Sequence, residues 1–179
     1  MKNIAVIGTG VIGTGWILRF LANDIKVKAF DKNSQQINFL KEEITRTNLI
    51  IKNLYNTKIN IKNLEIVDDI EEAVQNADLI QENVPERLTL KKDVIKNISK
   101  YSPSNSIIAS SSSGLLPSDL QLKCINPKRL IIAHPFNPVY ILPLVEIVKG
   151  KKTSNLYLNK AKKFYQKIKM KTLLVEKEL

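Results

Sequence analysis

The sequence contains one histidine, His134, which closes the apolar run Leu-Ile-Ile-Ala and opens the stretch "HPFNPVYILPLVEIV". Twelve residues later Glu146 stands inside a second apolar run, LVEIV. A carboxylate enclosed by hydrophobic neighbours is costly to bury without a partner, and imidazole is the natural partner here. A glutamate accepting from one ring nitrogen fixes the tautomer, favours the imidazolium and leaves the other nitrogen as a base. Such a pair suits removal of a proton from a secondary alcohol.

A second group of residues is fitted for binding. In "VIGTGVIGTGW" the glycines Gly8, Gly10 and Gly13 follow the apolar run NIAVI in G-x-G-x-x-G spacing. Gly8 permits a tight turn, Gly10 lets backbone amides approach a pyrophosphate, and Gly13 allows close helix–strand packing. Val11 and Ile12 begin the helix whose N-terminal N–H groups and dipole favour phosphates. Asp31 ends the next apolar run, 18 residues after Gly13. A carboxylate there accepts from a ribose 2′-hydroxyl and repels a 2′-phosphate, which favours NAD over NADP, although Lys32 works against that preference. FAD would share much of this fingerprint. Gly15 lies outside the motif and inside the helix, where glycine costs ~1 kcal/mol against alanine. Its expected use is to let the sheet or a further domain approach the helix backbone, with the further domain as the leading candidate.

The run "ASSSSGLLPS" (109–118) follows the apolar stretch SIIA. Serines at a strand end offer hydroxyls to a substrate oxygen or to a nicotinamide ribose, while Ser113 or Ser118 could instead cap a helix. Cys124 has no histidine nearby in sequence and reads as a small buried residue. One histidine and one cysteine at no useful spacing give no metal site.

These residues must be positioned by a regular frame. Strands are expected at 3–7, 26–30, 64–67, 78–81, 106–109, 130–133, 144–148 and 172–175. Helices are expected near 12–23, 34–55, 69–76, 86–101 and 154–169. Alternating strands and helices, with strands too apolar to face water, give an α/β class: a Rossmann-like, doubly wound, mostly parallel sheet with helices on both faces. The stretch 35–63 is long for one connection. Ile37, Leu40, Ile44, Leu49, Ile50 and Leu54 fit a long helix packed on the sheet edge, in preference to a partner-binding arm, with a turn near Asn56.

Composition sets limits. At 179 residues and 44% hydrophobic the chain can bury a core and makes a single domain. No apolar run reaches the ~18 residues of a membrane span, and the start is too short and too soon interrupted for a signal peptide. A single cysteine suits a reducing cytoplasm. The net charge of +11 invites a nucleic-acid reading. Dispersed lysines without an arginine cluster, aromatic platform or zinc spacing argue against it.

With these motifs assembled, "VIGTGVIGTGW", "ADLIQENVPERLTLKK", "IIASSSSGLLPSDLQ" and "HPFNPVYILPLVEIV" resemble the NAD-binding domain of the 3-hydroxyacyl-CoA dehydrogenase superfamily over essentially the whole chain. Within it they resemble the L-carnitine dehydrogenase branch most, and gulonate dehydrogenases are the close rival. Pro135, where the acyl-CoA enzymes typically have Phe, argues mildly against those. The resemblance implies NAD as cofactor and oxidation of a 3-hydroxyl, with L-carnitine going to 3-dehydrocarnitine. It implies His134 as general base, Glu146 as its orienting carboxylate, Ser113 as the serine that bonds the reacting hydroxyl, and Asn137 as the active-site asparagine. Glu86 and Lys91 would match positions in the cofactor-binding loop and helix, and Ser113 and Asn137 would also face the cofactor. Ser111 stands where the family run has asparagine. The family carries a helical C-terminal domain that closes the cleft and makes most of a homodimer contact. Against that pattern the chain reads as the N-terminal domain, residues 1–179, and as an NAD-binding module with little or no turnover by itself. Tyr140 is a possible wall for a quaternary ammonium group.

Overall fold

The computed structural model describes residues 1–178. Eight strands form one sheet: β1 (Asn3–Ile7), β2 (Lys26–Phe30), β3 (Leu64–Ile66), β4 (Leu79–Glu82), β5 (Ile107–Ser110), β6 (Leu130–Pro135), β7 (Leu144–Lys149) and β8 (Lys171–Val175). Six α-helices accompany them: α1 (Val11–Leu21), α2 (Ser34–Tyr55), α3 (Ile70–Val74), α4 (Leu88–Tyr101), α5 (Pro117–Leu120) and α6 (Asn155–Lys167). The strand order is β3-β2-β1-β4-β5-β6-β7-β8. The first six in that order are parallel, giving the expected Rossmann-like frame, and the order reverses between β1 and β4.

Period-two alternation feeds a core on each face. Ile4 and Val6 of β1 join Trp16, Phe20, Leu40 and Phe164 on one side. Ala5 and Ile7 join Val74, Ile95 and Leu120 on the other. Thus α1, α2 and α6 cover one face and α3, α4 and α5 the other. Burial on both faces is why these strands read as continuous apolar runs. No helix among the described residues is long and apolar enough to cross a membrane.

The sheet is mostly parallel, as expected, and the structure adds the direction of its last strands and corrects some boundaries. β7 runs antiparallel to β6, because the loop 136–143 joins them without a crossover helix, and β8 pairs parallel to β7. The fourth helix begins at Leu88 rather than 86, since Glu86 is drawn into a loop by bonds described below. On α2 the buried side chains are Leu40, Thr47 and Ile51. Leu49, Ile50 and Leu54, expected on the packed face, are exposed. α2 ends where expected, at Asn56 in the left-handed conformation with φ 51°.

Gly15 accommodates neither the sheet nor a further domain. A Cβ there would lie 2.9 Å from Cγ2 and 3.0 Å from Cβ of Val139, in the loop between β6 and β7. Buried Arg19, one turn on, holds the same loop by donating to the Val139 carbonyl through Nε (3.2 Å) and an η nitrogen (3.0 Å). Helix and loop therefore dock backbone to backbone at this point.

Candidate active site

The glycine loop and α1 form a cradle at the C-terminal ends of β1 and β2. Gly8 takes φ +91°, and a Cβ on it would strike the Asn83 backbone at 2.8 Å. A Cβ on Gly13 would lie 1.9 Å from the Gly8 carbonyl oxygen, so the turn and the helix need both glycines. Gly10 is different: a Cβ there would meet only Gln36 Oε1, at 3.6 Å, and would fill the open side of the cradle. The helix N-cap, Gly10, offers no side-chain acceptor. The N–H groups of Val11, Ile12 and Gly13 find none among the described residues. Asp31 Oδ2 accepts from the Thr9 backbone N–H at 2.8 Å, and Oδ1 from that of Asn33 at 2.9 Å. The cradle fits a dinucleotide: an open glycine wall, free helix-terminal donors and a carboxylate tied to the glycine loop beside them.

Strand pairing builds the second part. Antiparallel register sets His134 directly opposite Glu146, and His134 Nδ1 lies 3.0 Å from Glu146 Oε2. Both side chains share the sheet face of Ile132 and Val148. The expectation of a buried glutamate needs correction: the two side chains are 33% and 32% exposed. They line a cavity of about 220 Å³ together with Ser113, Leu116, Ile132 and Lys177. Water therefore reaches the pair from one side, and Nε2 has no partner among the described residues. A cavity of about 350 Å³ opens at the opposite ends of the strands, around Asn3, Lys26 and Asn76. It contains none of these groups, and open α/β sheets gather ligands at the carboxyl ends of their strands.

The four serines that end and follow β5 separate by function. Ser110 Oγ donates to Glu82 and Ser112 Oγ to Glu86. Ser111 Oγ accepts from Trp16 Nε1 (3.1 Å) and Gln81 Nε2 (2.9 Å) and donates to Asn83 Oδ1 (2.7 Å). Tyr165, wholly buried, donates to Gln81 Oε1 at 2.6 Å and completes that network. Only Ser113 keeps a hydroxyl without a protein partner among the described residues, and it faces the cavity of His134. Neither Ser113 nor Ser118 caps α5, whose N-cap is Leu116. Ser118 instead binds Glu178 through its N–H (2.9 Å) and hydroxyl.

Glu86 and Lys91 come together beside this run. Glu86 Oε1 accepts from the backbone N–H groups of Ser113 and Gly114, each at 3.0 Å. Lys91 Nζ lies 3.5 Å from Glu86 Oε2. Burial alone would raise the Glu86 pKa, but bonds from Ser112, Gly114 and Ser113 and the Lys91 charge hold it below the ordinary carboxylate value. Lys91 is itself 1% exposed and bonds Glu82 Oε1 at 2.8 Å. Glu82 is missing from the sequence reading, because its strand was expected to stop at residue 81. The available signal was a Gln-Glu pair closing an otherwise apolar strand.

Asn137 lies exposed in the loop after β6, preceding Pro138 through a cis peptide bond. Tyr140 is not a wall of the His134 cavity; its carbonyl accepts from Tyr55 of α2 at 2.6 Å. Cys124 is buried, and burial pushes its thiol up to about 11.

Residues 3–179 match the family model described as 3-hydroxyacyl-CoA dehydrogenase, NAD binding domain. The L-carnitine dehydrogenase of Oceanobacillus iheyensis is 49% identical over 187 residues, covering 100% of this chain and 59% of the relative. That of Bacillus cereus is 46% identical over 180 residues, covering 100% and 55%. Among solved structures, 5-formyl-3-hydroxy-2-methylpyridine 4-carboxylic acid 5-dehydrogenase, an NAD+ dependent dismutase, superposes with a TM-score of 0.94 at 29% identity. That match covers 100% of this chain and 59% of the other. The chain thus spans a little over half the length of the curated relatives it matches.

Proposed function

Since the chain belongs to the 3-hydroxyacyl-CoA dehydrogenase family through its NAD-binding domain, we propose that it is the cofactor-binding part of an NAD-dependent dehydrogenase acting on the 3-hydroxyl of a small hydroxy acid. L-carnitine, oxidised to 3-dehydrocarnitine, is the preferred substrate, supported by the names of the relatives at 49% and 46% identity. The observation that carries the reading is the His134–Glu146 bond of 3.0 Å on the same sheet edge as the glycine cradle.

Bound NAD supplies the hydride acceptor. Gly8, Gly10 and Gly13 give the pyrophosphate access to the N–H groups of Val11 and Ile12, and Asp31 receives the ribose hydroxyl. His134 Nε2 takes the proton of the substrate hydroxyl, and Glu146 stabilises the imidazolium that results. Ser113 Oγ and the Asn137 amide orient the reacting oxygen and the nicotinamide side of the cofactor. Glu86 and Lys91 shape the loop beside them. The complete enzyme works as a homodimer whose further domain covers the cavity.

A second reading, an NAD-binding module without turnover, is favoured for residues 1–179 alone by the exposure of one third of the His134 side chain. The deciding experiment is a fluorescence titration with NADH followed by assays with NAD and L-carnitine, L-gulonate or a 3-hydroxyacyl-CoA. NADH binding with carnitine oxidation supports the reading, whereas oxidation of gulonate or the acyl-CoA alone replaces its substrate. Failure to bind NADH overturns it.

A further inference from the structure

Beneath the glycine turn lies a buried polar network that the proposed reaction does not use. It converges on Ser111, whose hydroxyl can donate once and accept twice. All three positions are taken. Trp16 Nε1, which can only donate, lies 3.1 Å from Ser111 Oγ, and Gln81 Nε2 lies 2.9 Å from it. The hydroxyl proton goes to Asn83 Oδ1 at 2.7 Å. Gln81 Oε1 in turn accepts from the Tyr165 hydroxyl at 2.6 Å. Trp16, Gln81 and Tyr165 are each 0% exposed. Such a network rigidifies its surroundings only while every member is satisfied, and loss of the Ser111 hydroxyl removes a partner from three groups at once.

Asn83 carries the network to the glycine cradle. Its N–H donates to the Ile7 carbonyl at 2.7 Å, and its side-chain amide donates to the Gln81 carbonyl at 2.9 Å. Its backbone is the surface against which Gly8 turns, since a Cβ on Gly8 would lie 2.8 Å from the Asn83 carbonyl carbon. A Cβ on Gly13 would lie 3.4 Å from Asn83 Cβ. Trp16 makes the second connection, because it stands in the second turn of α1. One hydroxyl just past the end of β5 thus ties together the residue under the glycine turn and the helix that begins at Val11.

We propose that Ser111 is a positioning residue for NAD: through Asn83 and Trp16 it holds the Gly8 turn and the start of α1 in the register that the pyrophosphate requires. The inference rests on the reading of the glycine cradle as the cofactor site. Ser111 is not a catalytic residue, and it acts on the cofactor only through its two neighbours.

The test uses residues 1–179 with NADH as probe. It reads the NADH dissociation constant, the thermal midpoint and, without NADH, the ¹⁵N–¹H resonances of the Trp16 indole and of the Gly8, Gly10 and Val11 amides. Trp16 is the only tryptophan of the chain, so its indole resonance is identified at once. Ser111→Ala is expected to move the indole resonance upfield, displace the three amides and raise the NADH dissociation constant at least fivefold. Ser111→Thr, which keeps the hydroxyl, is expected to recover most of each change. Ser106→Ala is the control for stability alone. It removes another buried hydroxyl, which donates to the Ala77 carbonyl at the opposite ends of the strands. It is expected to lower the thermal midpoint while NADH affinity and the three amides stay as in the wild type. If Ser111→Ala fails to fold, Asn83→Ala breaks the same bond from its half-buried partner, and the same loss of affinity and displaced amides are expected. Wild-type affinity in a folded Ser111→Ala or Asn83→Ala chain overturns the proposal. So does lost affinity with unmoved amides, which would make the substituted residue a direct contact of the cofactor. Failure of the wild-type chain to bind NADH overturns the cradle reading and this assignment together, whereas a binding wild type with unaffected variants overturns this assignment alone.

Discussion

At His134 one ring nitrogen is committed to Glu146 and the other has no partner among the described residues, which is the division of labour a general base needs. His134→Gln in an active form of the enzyme is expected to lower turnover by roughly 10²–10⁴-fold, the usual worth of acid–base catalysis. NADH affinity, read by fluorescence titration, should stay within about twofold because the histidine is no part of the glycine cradle; undiminished turnover would refute the assignment. Asp31 has a double task that sequence alone did not reveal. Besides the ribose contact proposed for it, its carboxylate secures the Thr9 and Asn33 N–H groups. Asp31→Ala is therefore expected to weaken NADH binding by about tenfold, near 1.4 kcal/mol, while weakening NADPH binding less. Parallel titrations with the two cofactors check this, and an unchanged preference counts against a ribose contact. The histidine and aspartate were legible because each closes an apolar run. The separate tasks of Ser110, Ser111 and Ser112 were not, since four identical residues carry no mark of which acceptor each will meet.

Elements position these residues, and most of their boundaries were legible because the strands are buried on both faces and stand out as apolar runs. The antiparallel return of β7 was harder to read, although the short stretch 136–143 with two prolines leaves no room for a crossover helix. On α2 the scattered isoleucines and leucines of an Asn- and Lys-rich sequence did not identify one face. The packing of α1 against the β6–β7 loop makes a sharp prediction. Gly15→Ala gains ~1 kcal/mol of helix propensity but drives a methyl to 2.9 Å from Val139. Valine is stiff at χ1, and overpacking of this kind costs about 1–3 kcal/mol. The variant should lose up to about 2 kcal/mol in a denaturant melt, and Val139→Ala in the same chain should recover part of the loss; a stabilised Gly15→Ala chain would contradict the contact. A second element-level prediction concerns the loop that Glu86 fastens. Its pKa lies below the ordinary value of 4.5, so the ionised form is favoured by folding. That contribution is fully present above pH 4.5 and is lost as the pH falls through the lowered value. The difference in thermal midpoint between wild type and Glu86→Gln should shrink as the pH is lowered through this range, and a constant difference would exclude the linkage.

At the scale of the whole molecule, the glycine cradle, the Glu82–Lys91–Glu86 chain and the His134–Glu146 pair all lie along the carboxyl edge of one sheet. The reversal of strand order between β1 and β4 opens the crevice there. This common edge was legible in outline, because the glycine motif, Asp31, the serine run and His134 each follow a predicted strand. Glu146 reaches it by the opposite route, since β7 runs the other way and begins where β6 finishes. The two halves of the edge differ in enclosure. Glu82 and Lys91 are sealed from solvent, whereas the His134 and Glu146 side chains remain 33% and 32% exposed. The proposed proton transfer belongs to the half that water still enters. Water at the base screens the imidazolium–carboxylate attraction and offers the substrate hydroxyl a competing partner. Residues 1–179 are therefore expected to bind one NADH per chain while oxidising L-carnitine far more slowly than the Oceanobacillus iheyensis relative assayed at its full length. Joining residues 1–179 to the remaining part of that relative should raise the rate by at least tenfold with little change in NADH affinity. Equal rates for the short chain and the chimera would mean that the exposed edge already suffices for proton transfer.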